Sequence, residues 1–173
     1  MEFELRKNMD FLHQLRHFSF GTNVTLVKSF VKEDSTKLSA ANTALARQNP
    51  DGGDFWPGTR PMYGQAPYVV NAYVSYFNPD RGWDMNLGFN ISGEKIILIN
   101  KSAIPNVMEQ PFARLDFNIS KSLKNGLSFR FSAENLINPY YEQTLSFNNG
   151  KEVYFRRHRL GRQFSFGITY AIN

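Results

Sequence analysis

Apolar and polar residues alternate along most of the chain with a period of two, a pattern typical of β-strands that have two unlike faces. In each alternating stretch Phe, Tyr, Leu, Ile or Val occupies one face, while Ser, Asn, Thr, Gly or a charged residue occupies the other. The pattern predicts an all-β, antiparallel fold of six strands and part of a seventh, because residues 2–7 read as the end of an earlier strand. The remaining predicted strands cover residues 15–31, 67–77, 83–93, 112–121, 127–136 and 160–172.

The connections between these predicted strands alternate between short and long. Hairpins that are short at one end and long at the other are typical of outer-membrane β-barrels, whereas β-sandwiches mix their loop lengths. The loop lengths therefore favour a transmembrane β-barrel. The short connections cover residues 8–14, 78–82 and 122–126, and the long ones cover residues 32–66, 94–111 and 137–159.

The alternation alone leaves open which face lies inside. In a soluble sheet the apolar face is the core, whereas in a membrane barrel it meets lipid and the polar face lines the lumen. Small neutral residues are common on the polar faces, and aromatic residues such as Tyr68, Tyr76, Trp83 and Tyr170 lie near strand ends. Both features favour the membrane barrel, since aromatic girdles lie at headgroup depth. The competing explanation is that aromatic residues are simply good strand formers.

Composition narrows the classes of function. The chain has no cysteine, so disulfides and thiolate metal sites are excluded. The longest apolar run, Ile96 to Ile99, is far too short for a transmembrane helix. The net charge of +5 is dispersed, so we expect no nucleic-acid partner. The one basic cluster, Arg156 to Arg159, is expected to contact lipopolysaccharide phosphates or a lumen acid such as Glu134.

No catalytic or metal-binding pattern is visible. His13 and His17 are four residues apart, a spacing that does not converge on a metal in a strand or a turn. The sequence shows no phosphate loop, no metalloprotease helix and no credible Ser-His-Asp set around His158. We therefore expect no enzymatic activity, no cofactor and no bound metal.

Several segments together resemble the C-terminal part of a TonB-dependent outer-membrane receptor of the kind common in Bacteroidetes. "EFELRKNMDFL" followed by "FSFGTNVTLVKS" resembles a late barrel hairpin of that family. "GQAPYVVNAYVSY" resembles the strand that returns from a long outer loop, and "FSAENLINPYYEQ" the penultimate strand. "RLGRQFSFGITYAI" resembles the final strand. The resemblance covers nearly the whole chain and is strongest from Tyr63 onward.

The resemblance implies that residues 1–173 are the C-terminal part of a larger barrel, which has about 22 strands in such receptors. Single-chain bacterial barrels have an even number of strands, and an open sheet would expose unpaired edges to lipid. We therefore expect the remaining barrel strands to come from the same protein or from a separate chain. The signal peptide, the TonB-contacting segment and the plug domain are likewise expected to lie outside these residues.

A receptor of this kind would supply barrel wall and extracellular loops for TonB-dependent uptake of a siderophore, glycan or peptide. The location would be the outer membrane of a Gram-negative bacterium. The implied partners are outer-membrane lipid, lipopolysaccharide, the plug and remaining barrel, TonB and the barrel assembly machinery. Two alternatives stay open: a small standalone barrel with a structural or adhesive role, needing an eighth strand within 32–66, and a soluble β-barrel binding module.

The end of the chain resembles the signal that the barrel assembly machinery reads. Ser165, Gly167, Tyr170 and Ile172 fill its polar, glycine and alternating apolar positions, although the chain ends on Asn173 rather than an aromatic residue. In the same strand, Phe164, Phe166 and Ile168 are expected to face lipid.

The long connection 32–66 is the candidate for ligand contact. Asp54, Phe55 and Trp56 combine charge with aromatic surface between glycines, as contacts to a sugar or a siderophore would. The alternative is a long outer loop that packs on neighbouring loops or on lipopolysaccharide.

Overall fold

The chain folds as an all-β protein, as the alternation predicts. The computed structural model describes residues 1–10, 12, 15–32, 59–100, 104–147 and 150–171. Each strand runs antiparallel to its neighbours. The strands are β1 (Glu2–Asn8), β2 (Phe18–Leu26), β3 (Val31–Lys32), β4 (Thr59–Arg60), β5 (Tyr68–Asn78), β6 (Trp83–Ser92), β7 (Lys95–Leu98), β8 (Val107–Glu109), β9 (Arg114–Ser122), β10 (Leu127–Glu134), β11 (Tyr140–Ser146), β12 (Glu152–Arg159) and β13 (Gln163–Tyr170).

Seven of these strands form the main sheet, in the order β1-β2-β5-β6-β9-β10-β13. They are the strands that the alternation predicts, and each lies next to the long strand that precedes it in the chain. The short connections 78–82 and 122–126 lie at one end of this sheet, which we call the turn end, and the longer connections leave from the other, the loop end. Strands β1 and β13 form the two edges.

The pairing register keeps every apolar set on the same side of the main sheet. Because side chains alternate with a period of two, a slip of one residue would move a whole strand's apolar set to the opposite face. No such slip occurs between any two neighbours, so one row of facing residues is apolar from β2 to β13. That row consists of Phe18, Tyr76, Met85, Ile119, Phe131 and Phe166.

The turn between β5 and β6 is fixed by its own residues and by a contact with the next turn. The side-chain oxygen of Asn78 accepts a hydrogen bond from the backbone N–H of Arg81 at 3.0 Å. Gly82 has a positive φ of 66°, and a Cβ there would lie 2.2 Å from the carbonyl oxygen of Ser122. Only glycine fits, because the position needs both a left-handed backbone and a close approach to a neighbouring strand.

A second sheet of four strands, which we call the loop-end sheet, has the order β12-β11-β8-β7. It is built from the long connections 94–111 and 137–159. The sequence predicts these residues as connections, so this sheet is an addition to the prediction. Ile96, Val107 and Thr144 are almost fully buried there, at 3%, 1% and 1% exposure. The densest apolar packing in the described residues therefore lies in the loop-end sheet and not in the main sheet.

Candidate functional site

The apolar face of the main sheet has no covering layer among the described residues. Every large apolar side chain on it is exposed or half-exposed, and Phe166 near the middle of β13 is 66% exposed. In a soluble protein of this size, an apolar surface that crosses seven strands would normally be buried against another layer. The residues on it that are more than a third exposed are Phe3, Leu5, Leu26, Val74, Leu87, Phe131, Phe164, Phe166, Ile168 and Tyr170.

The aromatic side chains on this face contact each other sideways, within the face. Phe129 and Phe166 have ring centroids 6.3 Å apart, as do Phe131 and Phe164. Such cross-strand pairs each contribute roughly 0.2–1 kcal/mol relative to alanine pairs. They stabilise the pairing of β10 with β13 and leave the outer surface of the rings free.

At the turn end the apolar face finishes in aromatic side chains with polar partners. The hydroxyl of Tyr76 accepts a hydrogen bond from the amide of Asn78 at 3.1 Å. The amine of Lys121 lies 4.5 Å from the centroid of the Trp83 ring and donates to the carbonyl of Arg81. The apolar surface therefore grades into polar groups along this border.

The opposite face of the main sheet is polar and mostly uncharged. Ser19 and Ser75 share a hydrogen bond of 2.7 Å, and the amide of Asn90 donates to the side-chain oxygen of Asn71 at 2.6 Å. A row of facing Ser and Asn residues crosses all seven strands. Along this row the face offers neutral hydrogen-bonding groups and no charged side chains. The row consists of Asn8, Ser19, Ser75, Asn86, Asn118, Ser132 and Ser165.

The bulky side chain of Tyr73 interrupts the small residues in the middle of the polar face. It faces Gly21 on β2 and Gly88 on β6. A Cβ at Gly21 would lie 2.3 Å from the Cε1 atom of the Tyr73 ring, so the ring lies directly over this glycine. The alternation of small residues gives no sign of this pair, because Gly21 appears there only as one more small residue.

One group of charged side chains on the polar face lies near the loop end. Arg114 lies 3.4 Å from a carboxylate oxygen of Asp116 and 3.5 Å from one of Glu134. All three side chains are at least a third exposed, so these ion pairs contribute little stability. The acid Glu134, expected as a partner for the basic cluster, is paired here with Arg114.

The loop-end sheet contains a polar network around Tyr141. Its hydroxyl donates to Glu109 at 2.6 Å and accepts from the amide of Gln143 at 3.0 Å. The other oxygen of Glu109 lies 2.8 Å from the amine of Lys95. Burial, reinforced by the hydrogen bond to Glu109, raises the pKa of Tyr141 above its ordinary value. The network joins β7, β8 and β11.

The basic cluster lies on β12, the exposed edge of the loop-end sheet. The guanidinium of Arg157 contacts Glu142 at 2.8 Å and lies 4.0 Å from the centroid of Tyr140. Arg159 lies 4.4 Å from the same ring. Both guanidinium groups therefore lie close to one tyrosine ring, on a strand that is exposed along its whole length.

The predicted site residues divide between the two faces of β13. Ser165 and Gly167 lie on the polar face, and Tyr170 lies on the apolar face. Phe164, Phe166 and Ile168 lie on the apolar face and are at least 60% exposed, and residues of both faces are exposed along this edge strand. The contact of these three side chains with lipid stays a prediction. The predicted ligand contacts Asp54, Phe55 and Trp56, and the last member of the assembly signal, Ile172, lie outside the described residues.

The described residues contain neither a metal-binding cluster nor a membrane-spanning helix. No group of three or more His, Cys, Asp or Glu side chains is placed there to hold a metal ion. His17, one of the predicted pair, contacts the carbonyl oxygen of Phe77 at 3.1 Å, and His13 is outside the described part. Among the described elements there is also no helix with the length and apolar character needed to cross a membrane.

No protein-family model, no curated protein and no solved structure matches this chain.

Proposed function

We propose that this chain is the C-terminal barrel segment of a TonB-dependent outer-membrane receptor. It would supply barrel wall, lumen surface and outer loops for uptake of a siderophore, glycan or peptide. The observation that carries the proposal is the apolar face that crosses all seven strands of the main sheet without a covering layer in the described residues. Lipid is the solvent that would cover such a face without another protein layer.

The lengths of the central strands support this proposal. Strands β2, β5, β6 and β9 have 9, 11, 10 and 9 residues. A tilted strand needs about 9–11 residues to cross the hydrocarbon core. The aromatic and polar border at the turn end then lies where the headgroups of one leaflet would be.

Strand direction supports a larger assembly. Neighbours in the main sheet are antiparallel, so β1 and β13, the first and seventh strands, run in the same direction. Antiparallel closure of this sheet therefore needs an odd number of further strands. The described strands outside the main sheet pair among themselves, β3 with β4, and β7, β8, β11 and β12 in the loop-end sheet. None of these described strands pairs with β1 or β13 to serve as the eighth strand of a standalone barrel.

The loop end is the side on which we propose ligand capture. Strands β3 and β4, which flank the connection carrying Asp54, Phe55 and Trp56, are paired with each other. Beside them lies a cleft of about 290 Å³ whose walls include Phe30, Pro61 and Ile96 and whose rim includes Glu94 and Lys95. An apolar cleft with a few charged groups is the usual form of a small-molecule site.

The first experiment is extraction of the native assembly from cells of the source organism. We expect the chain to pellet with the outer membrane, to resist carbonate washing and to require detergent, together with the strands that complete its barrel. Recovery of a monodisperse protein in water without detergent would overturn the membrane proposal. Recovery of a closed barrel made of this chain alone would instead favour the small standalone barrel.

The second experiment tests transport. Deletion of the coding sequence is expected to abolish uptake of one siderophore, glycan or peptide, and deletion of TonB is expected to reproduce the loss. A strain that carries the chain with residues 51–58 replaced by a Gly/Ser linker tests the proposed ligand contacts separately. Uptake that continues without TonB would contradict the energy-coupled mechanism.

A further inference from the structure

The apolar face contains a cleft of about 410 Å³ at its turn end. It opens where the apolar face meets the turn between β5 and β6. The walls come from four neighbouring strands, β2, β5, β6 and β9, and include Phe18, Tyr76, Trp83, Met85 and Phe117. The cleft is therefore an apolar groove on the surface that the proposed function places in lipid.

Two cationic side chains lie at the turn side of this cleft. Arg81 lines it from the β5–β6 turn, and Lys121 lies over the ring of Trp83. The amine of Lys121 also donates to the carbonyl of Arg81, which keeps the two residues together. Neither cation takes part in any of the ion pairs found among the described residues, and Asp80, the acid beside Arg81 in the turn, forms none with them.

Neutral polar groups also lie at the turn side of the apolar walls. The Tyr76 hydroxyl accepts a hydrogen bond from the amide of Asn78, which lies one row further out, opposite Trp83 and in the row of Lys121. Arg81 lies beyond this row, in the turn. From the centre of the sheet outward, the cleft thus offers apolar walls, then neutral hydrogen-bonding groups, then positive charge. A matching ligand has an apolar chain, a neutral polar linkage and an anionic head, in that order.

We propose that this cleft binds a phospholipid from the leaflet next to the short turns. An acyl chain lies against Met85 and Phe117, the ester linkage reaches the level of Tyr76, and the phosphate lies between Arg81 and Lys121. The inference rests on the proposed membrane location, and it adds a defined lipid site to a face that would otherwise meet lipid without preference. Charge complementarity selects the phosphate, and the apolar walls select an amphiphile over free phosphate.

The test uses the detergent-purified native assembly and a phosphatidylglycerol that carries a photoreactive diazirine on its acyl chain. Irradiation followed by peptide mapping is expected to place the label on the cleft residues of β5 and β6. The double variant Arg81→Ala, Lys121→Ala is expected to lower this label about tenfold, because charge-assisted hydrogen bonds to the phosphate are lost. Lys124→Ala is the matched control, since it removes a cation from a neighbouring turn at the same end of the sheet.

A single variant and a second lipid probe separate loss of lipid binding from other effects. Arg81→Ala alone changes an exposed turn side chain and leaves the Lys121–Trp83 contact in place, so it separates lost binding from a disturbed turn. A diacylglycerol with the same photoreactive chain lacks the phosphate and is expected to label the cleft weakly, in wild type and variants alike. Excess glycerol phosphate is expected not to compete, because it lacks the acyl chain.

Equal labelling of wild type and the double variant would overturn the inference, as would equal labelling by diacylglycerol. These outcomes differ from failure of the proposed function. If the assembly needs detergent and labelling ignores Arg81 and Lys121, the lipid site alone is wrong. If the assembly leaves the membrane without detergent, the proposed membrane location is wrong and the inference falls with it.

Discussion

On the polar face, the ring of Tyr73 lies directly over Gly21. The tyrosine ring occupies the space that a side chain at position 21 would need. Glycine in a strand costs conformational entropy and packs nothing, so its presence here follows from the approach of the ring and not from strand propensity.

Gly21→Ala is therefore expected to destabilise the pairing of β2 with β5 by about 1–2 kcal/mol, because the ring must leave its place. Gly88→Ala is the matched control on the other side of Tyr73, since its Cβ would meet nothing closer than 3.7 Å. Hydrogen exchange of β2 and β5 amides in the native assembly measures the effect. In a Tyr73→Ala background the penalty is expected to disappear, and a penalty that persists would contradict the steric explanation.

Tyr141 gives the loop-end sheet a dependence on pH. Its pKa is raised by burial and by the hydrogen bond to Glu109, so the folded state favours the neutral phenol. This contribution to stability is complete below the ordinary tyrosine pKa of about 10 and is lost as the pH rises through the higher folded-state value.

Tyr141→Phe is expected to remove that alkaline loss and to cost about 1 kcal/mol at neutral pH, because Glu109 loses a donor. The measurement is hydrogen exchange in the loop-end sheet as a function of pH, corrected for the intrinsic exchange rate. Tyr140→Phe serves as the control, since it also removes one tyrosine hydroxyl and keeps a ring beside the arginines. An unchanged alkaline slope in Tyr141→Phe would show that another group causes the loss.

At the scale of elements, the two sheets are stabilised by different means. The main sheet depends on backbone pairing and on contacts within each face, whereas the loop-end sheet has a small buried core. Val107 on β8 is 1% exposed and lies opposite both Leu98 and Leu145, so it joins three strands.

Val107→Ala is expected to destabilise the loop-end sheet by about 1–3 kcal/mol through the lost methyl groups and the cavity left behind. Protection from hydrogen exchange is expected to fall in β7, β8 and β11 and to stay unchanged in β2, β5 and β6. The matched control is Val153→Ala on β12, where the side chain is 38% exposed. Loss of protection spread evenly over both sheets would mean that they unfold as one unit.

The sequence predicts the main sheet well and the loop-end sheet poorly, for a physical reason. The long strands have one face of each kind, so the period of two is visible without knowledge of their neighbours. Strand β8 has three residues, too few to show a period, and its burial depends on contacts with β7 and β11. The Tyr141 network cannot be predicted from the sequence for the same reason, because its members come from three separate strands.

Strand boundaries at the loop end were also partly wrong. The predicted strand 15–31 ends at Leu26, and Val31 pairs instead with Arg60. Phe30 continues the alternation of this predicted strand, but the pairing with β5 ends at Leu26, and Val31 and Lys32 pair with β4 in a separate two-stranded sheet. The predicted face of the β13 residues depends only on alternation within one strand, and the structure places them on the faces that the sequence indicates.

At the scale of the whole molecule, a charged substitution can show whether lipid or water covers the apolar face. Phe166→Lys places a charge near the middle of that face. In lipid this substitution is expected to cost about 2–4 kcal/mol, whereas at a position exposed to water it would stay within about 0.5 kcal/mol.

The measurement is the folded fraction of the assembly in lipid vesicles as urea is increased. Ser165→Lys is the matched control, because the neighbouring residue points to the polar face of the same strand. A large loss for Phe166→Lys together with a small one for Ser165→Lys supports lipid on the apolar face. Equal small effects would mean that water or a separable partner covers it.

The loop-end sheet has a consequence for how such a protein can diversify. Its four strands come entirely from two connections, the one between β6 and β9 and the one between β10 and β13. In each case the two main-sheet strands that the connection joins are neighbours. Mutations, insertions or replacements in those connections can reshape the Arg157 and Tyr140 surface while the register of the seven long strands is kept. The loop-end sheet and the main sheet can thus change at different rates.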